Sequence, residues 1–408
     1  MSSPSPVTQS IGSDALAPCR RLTESLFGKL IGEFGDGELV IDTPDGRSLA
    51  LHGRRPGPQA HLVVHSWRML GRLLLDWDIG FAESYMAGEW SSPNLVSLLT
   101  LVCQNSGIAG RLTLLRAPRF AMRLRHGLNR NTRSGSRRNI AAHYDLGNEF
   151  YAHWLDASLT YSAGLFSPAE STLEEAQAAK LDRVVDLLEI DDGNRVLEVG
   201  CGWGSLAERI LERHDCSVTA LTLSRNQLEH AQQRLAHHVA RGSCDLRFQD
   251  YRDATGSFDR IVSIEMVEAV GAAYWPTYFA QLRDRLRPGG IAVLQAITID
   301  ERRFDKYRRR PDFIQKYIFP GGMLPTKSII EREARRVSLK PVAQQFFGQS
   351  YARTLQHWNA RFQRAWPRIQ KLGYDERFKR MWDYYLAYCQ VGFDVGASDV
   401  GFYKFAKR

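Results

Sequence analysis

Cysteine is scarce: six residues in 408, none in a C-x-x-C pair, so no disulfide framework and no thiolate metal site is expected. Histidine and cysteine form no joint cluster, and no metal centre is expected from them. No run of eighteen apolar residues occurs, which predicts no membrane span. The first residues, MSSPSPVTQS, lack a basic-then-apolar leader pattern, so the reading is a cytoplasmic protein with reduced thiols. Acidic residues are missing between Arg111 and Arg138, where nine arginines stand among Leu, Phe and Met in the earlier half. Net charge is +9 and this segment concentrates it. An anionic membrane surface or a nucleic acid would suit such a patch, and charge alone does not choose.

Several segments are distinguishable along the chain. Residues 1–20 are rich in Ser and Pro and read as a disordered tail. Residues 21–127 read as an N-terminal domain of mixed structure, with strands around the Pro-Asp-Gly turn of ELVIDTPDGRSLALH and three helices after AHLVVHSW. Residues 128–139 (LNRNTRSGSRRN) have little to bury and read as a linker. From 140 to 408 strands and helices alternate, which predicts an α/β domain with a mostly parallel sheet and helices on both faces. Strands are expected near 195–199, 217–222, 245–249, 259–264 and 291–298, and a last one near 399–406 at the sheet edge. Residues 300–335 are too long for a simple connection and read as a lid.

The sharpest motif is RVLEVGCGWGSL, residues 195–206. A buried strand breaks into a turn at Gly200, Gly202 and Gly204, where backbone can approach a ligand that a Cβ would block. A helix begins behind it and aims free N–H groups at the same place. G-x-G-x-G after the acidic Glu198 fits S-adenosylmethionine better than a dinucleotide. The next strand ends in TLSRNQ, where Thr222, Ser224 and Gln227 could bond the ribose or amino-acid part. The third ends in FQDYRD: Asp250 could accept from the adenine amino group while Tyr251 or Arg252 packs on the ring. The fourth ends in SIEMVEAVG, placing Glu265 and Glu268 at the mouth of the site. Glu265 alone reads as a helix-capping or solvent-facing carboxylate.

Together with DIGFAESYMAGEW, HYDLGNEFYAHWLDASLTYSAGLF, FIQKYIFPGGMLP and ERFKRMWDYYLAYC, these blocks resemble the cyclopropane-fatty-acyl-phospholipid synthase family, which includes the mycolic acid cyclopropane synthases. The resemblance implies a Rossmann-like class I methyltransferase domain that uses S-adenosylmethionine on a cis double bond of a phospholipid acyl chain. By position, Tyr161 and Ser162 join the cofactor residues already named. A smaller N-terminal domain would dock on the inner face of an anionic membrane, which displaces nucleic acid as partner. A homodimer is implied as well.

An alkene is a weak nucleophile, so the sulfonium methyl must lie in line and close to it. Transfer leaves a carbocation that needs a dry site with anionic or aromatic walls. Tyr144, Phe150, Tyr161, Phe166, Tyr317, Phe319 and Tyr351 are available as walls. A base must then remove a proton from the added carbon. In many members of the resembling family this base is a bicarbonate ion held by a Cys, a Glu, a His, a Tyr and a backbone group. Here Glu268, Tyr351 and the backbone of Ile297 match, while Ala163 stands at the Cys position and Gln295 at the His position. The chemistry expected is cyclopropane formation, with a methyl- or methylene-branched chain as the alternative outcome and a non-catalytic lipid-binding protein as the remote one.

Overall fold

The computed structural model describes residues 35–105, 146–167 and 171–408. The arginine-rich stretch, the 128–139 linker, the N-terminal tail and Tyr144 lie outside the described residues.

Two sheets organise the chain. The first has order β2-β1-β3-β4, built from β1 (Asp36–Asp42), β2 (Ser48–His52), β3 (Arg55–Val64) and β4 (Trp90–Ser91). β1 and β2 are antiparallel across the expected Pro-Asp-Gly turn, and β3 lies parallel to β1. Helices at Arg68–Leu75, Trp77–Met86 and Leu95–Gln104 accompany this sheet. Asn94 caps the last of them by accepting from the N–H of Ser97.

The second sheet has seven strands in the order β10-β11-β9-β8-β5-β6-β7. Its strands are β5 (Arg195–Val199), β6 (Ser217–Thr222), β7 (Cys244–Phe248), β8 (Phe258–Ile264), β9 (Leu286–Ile299), β10 (Leu339–Phe346) and β11 (Ser398–Lys407). β5 to β9 run parallel, as the alternation of strands and helices predicts. β11 is antiparallel to β9, and β10 in turn pairs with β11. The last strand is therefore interior, not at the edge. β10 holds the edge and was not anticipated. Its LKPVAQQF is polar and mostly exposed, without the apolar alternation that marks a half-buried strand.

Helices cover this sheet at Leu173–Leu188, Ser205–Arg213, Arg225–Arg234 and Trp275–Arg285. The first opens with a complete capping box between Thr172 and Glu175. Two long helices, Gly348–Ile369 and Glu376–Asp394, pack against each other behind the site. Their buried Trp358 and Trp382 meet Phe150 and Trp154 of the segment that follows the linker. Residues 300–335 hold a short helix (Glu301–Tyr307), a π-helical turn (Ile314–Ile318) and the start of a helix at Lys327–Arg336. Glu83, on the Trp77–Met86 helix, accepts from Lys316 Nζ and Tyr317 Oη, both at 2.5 Å, and so ties the first sheet's helices to this insertion.

Candidate active site

The parallel strands end together, and the glycine turn leaves β5 at that end. Gly200, Gly202 and Gly204 take φ of 86°, 55° and 88°, left-handed values that favour glycine. The turn is fixed by Gly200 and Cys201 N–H bonds to the Leu221 carbonyl. Gly204 lies against Ala231 and Leu235, so its lack of a Cβ serves packing. At Gly202 an added Cβ would meet no protein atom within 4 Å, so that face of the turn is open to a ligand.

The remaining expected cofactor residues gather around this turn. Glu198 is buried at the end of β5, one carboxylate oxygen has no partner among the described residues, and burial pushes its pKa up to about 8. Thr222 Oγ1 is 3.0 Å from Gln227 Oε1, and Ser224 caps the helix that carries Gln227. Asp250 is 1% exposed and its two oxygens take a bidentate ion pair from Arg252, at 2.9 and 2.6 Å. Its oxygens are therefore shared with Arg252 rather than reserved for an adenine. Arg252 also lies over the Tyr251 ring, and the buried Tyr251 hydroxyl has no partner among the described residues. Tyr161 donates to or accepts from Tyr385 at 2.7 Å, a partner the sequence did not suggest. An open glycine face, an orphan carboxylate oxygen and an orphan hydroxyl are what a site for S-adenosylmethionine, with its amino, hydroxyl and adenine groups, requires.

Beside this cleft stands a second cluster, and here the sequence reading needs correction. Glu265 neither caps a helix nor faces solvent freely. Its Oε1 accepts from the Ala163 N–H at 2.9 Å and from Gln295 Nε2 at 2.7 Å, and its Oε2 accepts from the Tyr351 hydroxyl at 2.7 Å. Ala163, Gln295 and Tyr351 are three of the five positions that the resemblance assigned to an added anion, and the Ile297 N–H is bound to Glu268. A bicarbonate ion does not fit on them as they stand, because these donors are already bound to side chains of the protein. The Glu265 backbone stands at φ 47°, a strained value for a residue with a side chain, and its N–H bonds the Gln295 carbonyl at 2.7 Å. Two carboxylates spaced three apart in SIEMVEAVG were the available signal, and the strain that turns the first one inward is not visible in sequence.

Glu268 takes a different place from Tyr351 and Gln295. Its Oε1 accepts from the Ile297 N–H at 2.5 Å, whereas Oε2 is buried without a partner among the described residues. Burial, with the neighbouring Glu265 charge second, pushes its pKa up to about 8. Its own carbonyl accepts from the Met323 N–H, so the 300–335 insertion holds the carboxylate-bearing loop. Tyr351 is raised well above an ordinary tyrosine by burial and by Glu265, and stays a neutral donor. Among the expected aromatic walls, Tyr351 stacks on Phe393, Phe319 meets Tyr385, and Phe166 lies against His357 under Arg353. Phe150 is fully buried among other rings and is a core residue.

Comparison with known proteins agrees with this geometry. The family model for mycolic acid cyclopropane synthetase matches residues 131–402. The tuberculostearic acid methyltransferase UfaA1 of Mycobacterium tuberculosis is 40% identical, over 93% of this chain and 88% of its own. The cyclopropane-fatty-acyl-phospholipid synthase of Escherichia coli is 36% identical, over 85% of this chain and 86% of its own. In structure, the mycolic acid cyclopropane synthase CmaA1 complexed with SAH and CTAB gives a TM-score of 0.62 at 32% identity, over 66% of this chain and 98% of that one. The fold is that of class I methyltransferases, and S-adenosylmethionine is the cofactor of the family. The chain belongs to the mycolic acid cyclopropane synthetase family and is an S-adenosylmethionine-dependent methyltransferase.

Proposed function

We propose that this enzyme methylates the double bond of an unsaturated acyl chain in membrane phospholipid and releases a methylene-branched chain. The observation that carries the reading is the Glu265 carboxylate seated on Ala163 N–H, Gln295 and Tyr351.

S-adenosylmethionine supplies a methyl group from a positively charged sulfur. Glycines 200, 202 and 204, with Glu198, Thr222, Ser224, Gln227, Asp250, Tyr251 and Arg252, would hold it, and Tyr161 and Ser162 would close over it. Attack by the olefin leaves positive charge on the adjacent chain carbon. Glu265, already oriented by three donors, stabilises that charge without reorganising. Burial raises its pKa while the three bonds oppose that rise, and the bonds occupy both of its oxygens, which leaves proton removal to Glu268. The cation then survives long enough for hydride to move from the methylated carbon to its neighbour, which puts the charge on a tertiary centre. The open Oε2 of Glu268 takes a proton from the new methyl group, and the freed electron pair forms a C=CH2 branch on the chain. One CH2 has been added, and the proton leaves through Glu268.

Cyclopropane formation is the second reading, supported by the retention of Glu268, Tyr351 and the Ile297 backbone group. It differs only in that proton loss outruns the hydride shift and closes a ring. Proton NMR of lipid extracted after reaction with unsaturated phospholipid vesicles separates the two, since the added mass is the same. Vinylidene signals support the proposal, and the high-field cyclopropane methylene signal defeats it. Label from the methyl donor that never enters lipid would favour the remote reading of a non-catalytic lipid-binding protein. Support for a membrane surface comes from the arginine-rich stretch and from the related enzyme's phospholipid substrate named above. No described helix is long and apolar enough to cross a membrane.

A further inference from the structure

Lys180 is 1% exposed on the Leu173–Leu188 helix, and a buried ammonium is costly unless its charge is used. Among the described residues its hydrogen bond is to Ser162 Oγ at 2.9 Å, with no carboxylate in ion-pair contact. Gln177, three residues earlier on the same face and equally buried, donates to the Ser162 carbonyl at 2.8 Å. That carbonyl and the Ala163 N–H belong to one peptide group, and the N–H is what Glu265 Oε1 accepts from. A donor on one end of a peptide strengthens the donor at its other end.

We infer that Gln177, through the Ser162–Ala163 peptide, and Lys180, through the Ser162 hydroxyl, are positioning residues that hold the Glu265 carboxylate in place, with Lys180 supplying the balancing charge. The inference rests on the reading of Glu265 given above and deepens it. The groups facing Lys180 are Glu265, Asp156 and Glu198, and burial lowers its pKa to about 8 against their pull, so it is largely charged at neutral pH. Those facing Glu265 are Ala163, Tyr351, Lys180 and Gln295, with Glu268 beside it. The Lys180 charge favours the ionised form of Glu265.

The test is a 13C NMR titration of protein labelled at the glutamate side-chain carboxyl carbon, with the Glu265 signal assigned by its loss in Glu265→Gln. In Lys180→Met the Glu265 midpoint should rise by about one pH unit or more, because its cation is gone. In Lys180→Arg it should stay near the wild-type value. Gln177→Leu, which keeps the charge, should raise it less, and serves if Lys180→Met does not fold. A midpoint unmoved in the folded variants overturns the inference. A merely structural role would disturb folding without displacing the midpoint of one carboxyl. Product analysis of Glu265→Gln is independent: if its rate and product match wild type, the reading of Glu265 fails, whatever Lys180 does.

Discussion

Glu265 and Glu268 are three residues apart, Glu268 on the short helix Val267–Val270, and in the proposed reaction their bonding divides the chemistry between them. Glu268→Gln keeps the shape and removes the base. Turnover should fall by about 10²–10⁴-fold while donor affinity, measured by calorimetry, changes little. Glu265→Gly should relieve the strained φ and leave an anion-sized gap lined by the Ala163 N–H, Gln295 and Tyr351. That variant should be slow in carbon-dioxide-free buffer and regain rate when bicarbonate is added. No recovery would mean that Glu265 does not stand in for an anion. The acid form of Glu268 cannot accept a proton, and its pKa is raised to about 8 in the free protein. The kcat/KM profile should therefore fall as pH drops below about 8. The sulfonium charge favours the ionised form, so the corresponding limb of kcat should lie at lower pH. A flat profile would remove Glu268 as the base.

At the scale of elements, the glycine turn and the 300–335 insertion do different work. Gly202→Ala places a methyl group where no protein atom stands within 4 Å, so the clash is with ligand. The left-handed backbone costs about 1–2 kcal/mol for a residue with a Cβ. Folding should survive while donor affinity drops at least tenfold; unchanged affinity would put the donor elsewhere. The turn, the five parallel strands and the helices behind them were legible in sequence, because each rests on a local pattern of apolar residues and glycine. β10 was not, since tertiary pairing with β11 rather than its own apolar alternation makes it a strand. Tyr385 and Lys180 were equally hidden. A tyrosine or lysine in a helical run gives no sign of its partner until the Glu376–Asp394 and Leu173–Leu188 helices are packed.

Across the whole molecule, the helices beside the four-stranded sheet meet the insertion through Glu83, Lys316 and Tyr317, and the insertion's Met323 N–H holds the Glu268 carbonyl. A set of contacts thus runs from the N-terminal sheet region through the insertion to Glu268. The arginine-rich stretch between those regions gives the chain its basic bias. Binding to vesicles containing anionic lipid should weaken steeply as salt is raised, and sedimentation with liposomes at two salt concentrations measures it. Salt-insensitive binding would point to apolar contact instead. Sequence carried the cofactor class and the family resemblance well, as both lie in contiguous blocks. It misjudged Glu265 because the anion site is assembled from four distant segments, around Ala163, Glu265, Gln295 and Tyr351.

The most direct measurement compares wild-type turnover in buffer stripped of carbon dioxide with turnover in the same buffer containing bicarbonate. A side-chain carboxylate that already fills the anion position predicts equal rates. A several-fold stimulation by bicarbonate would contradict the account at its centre.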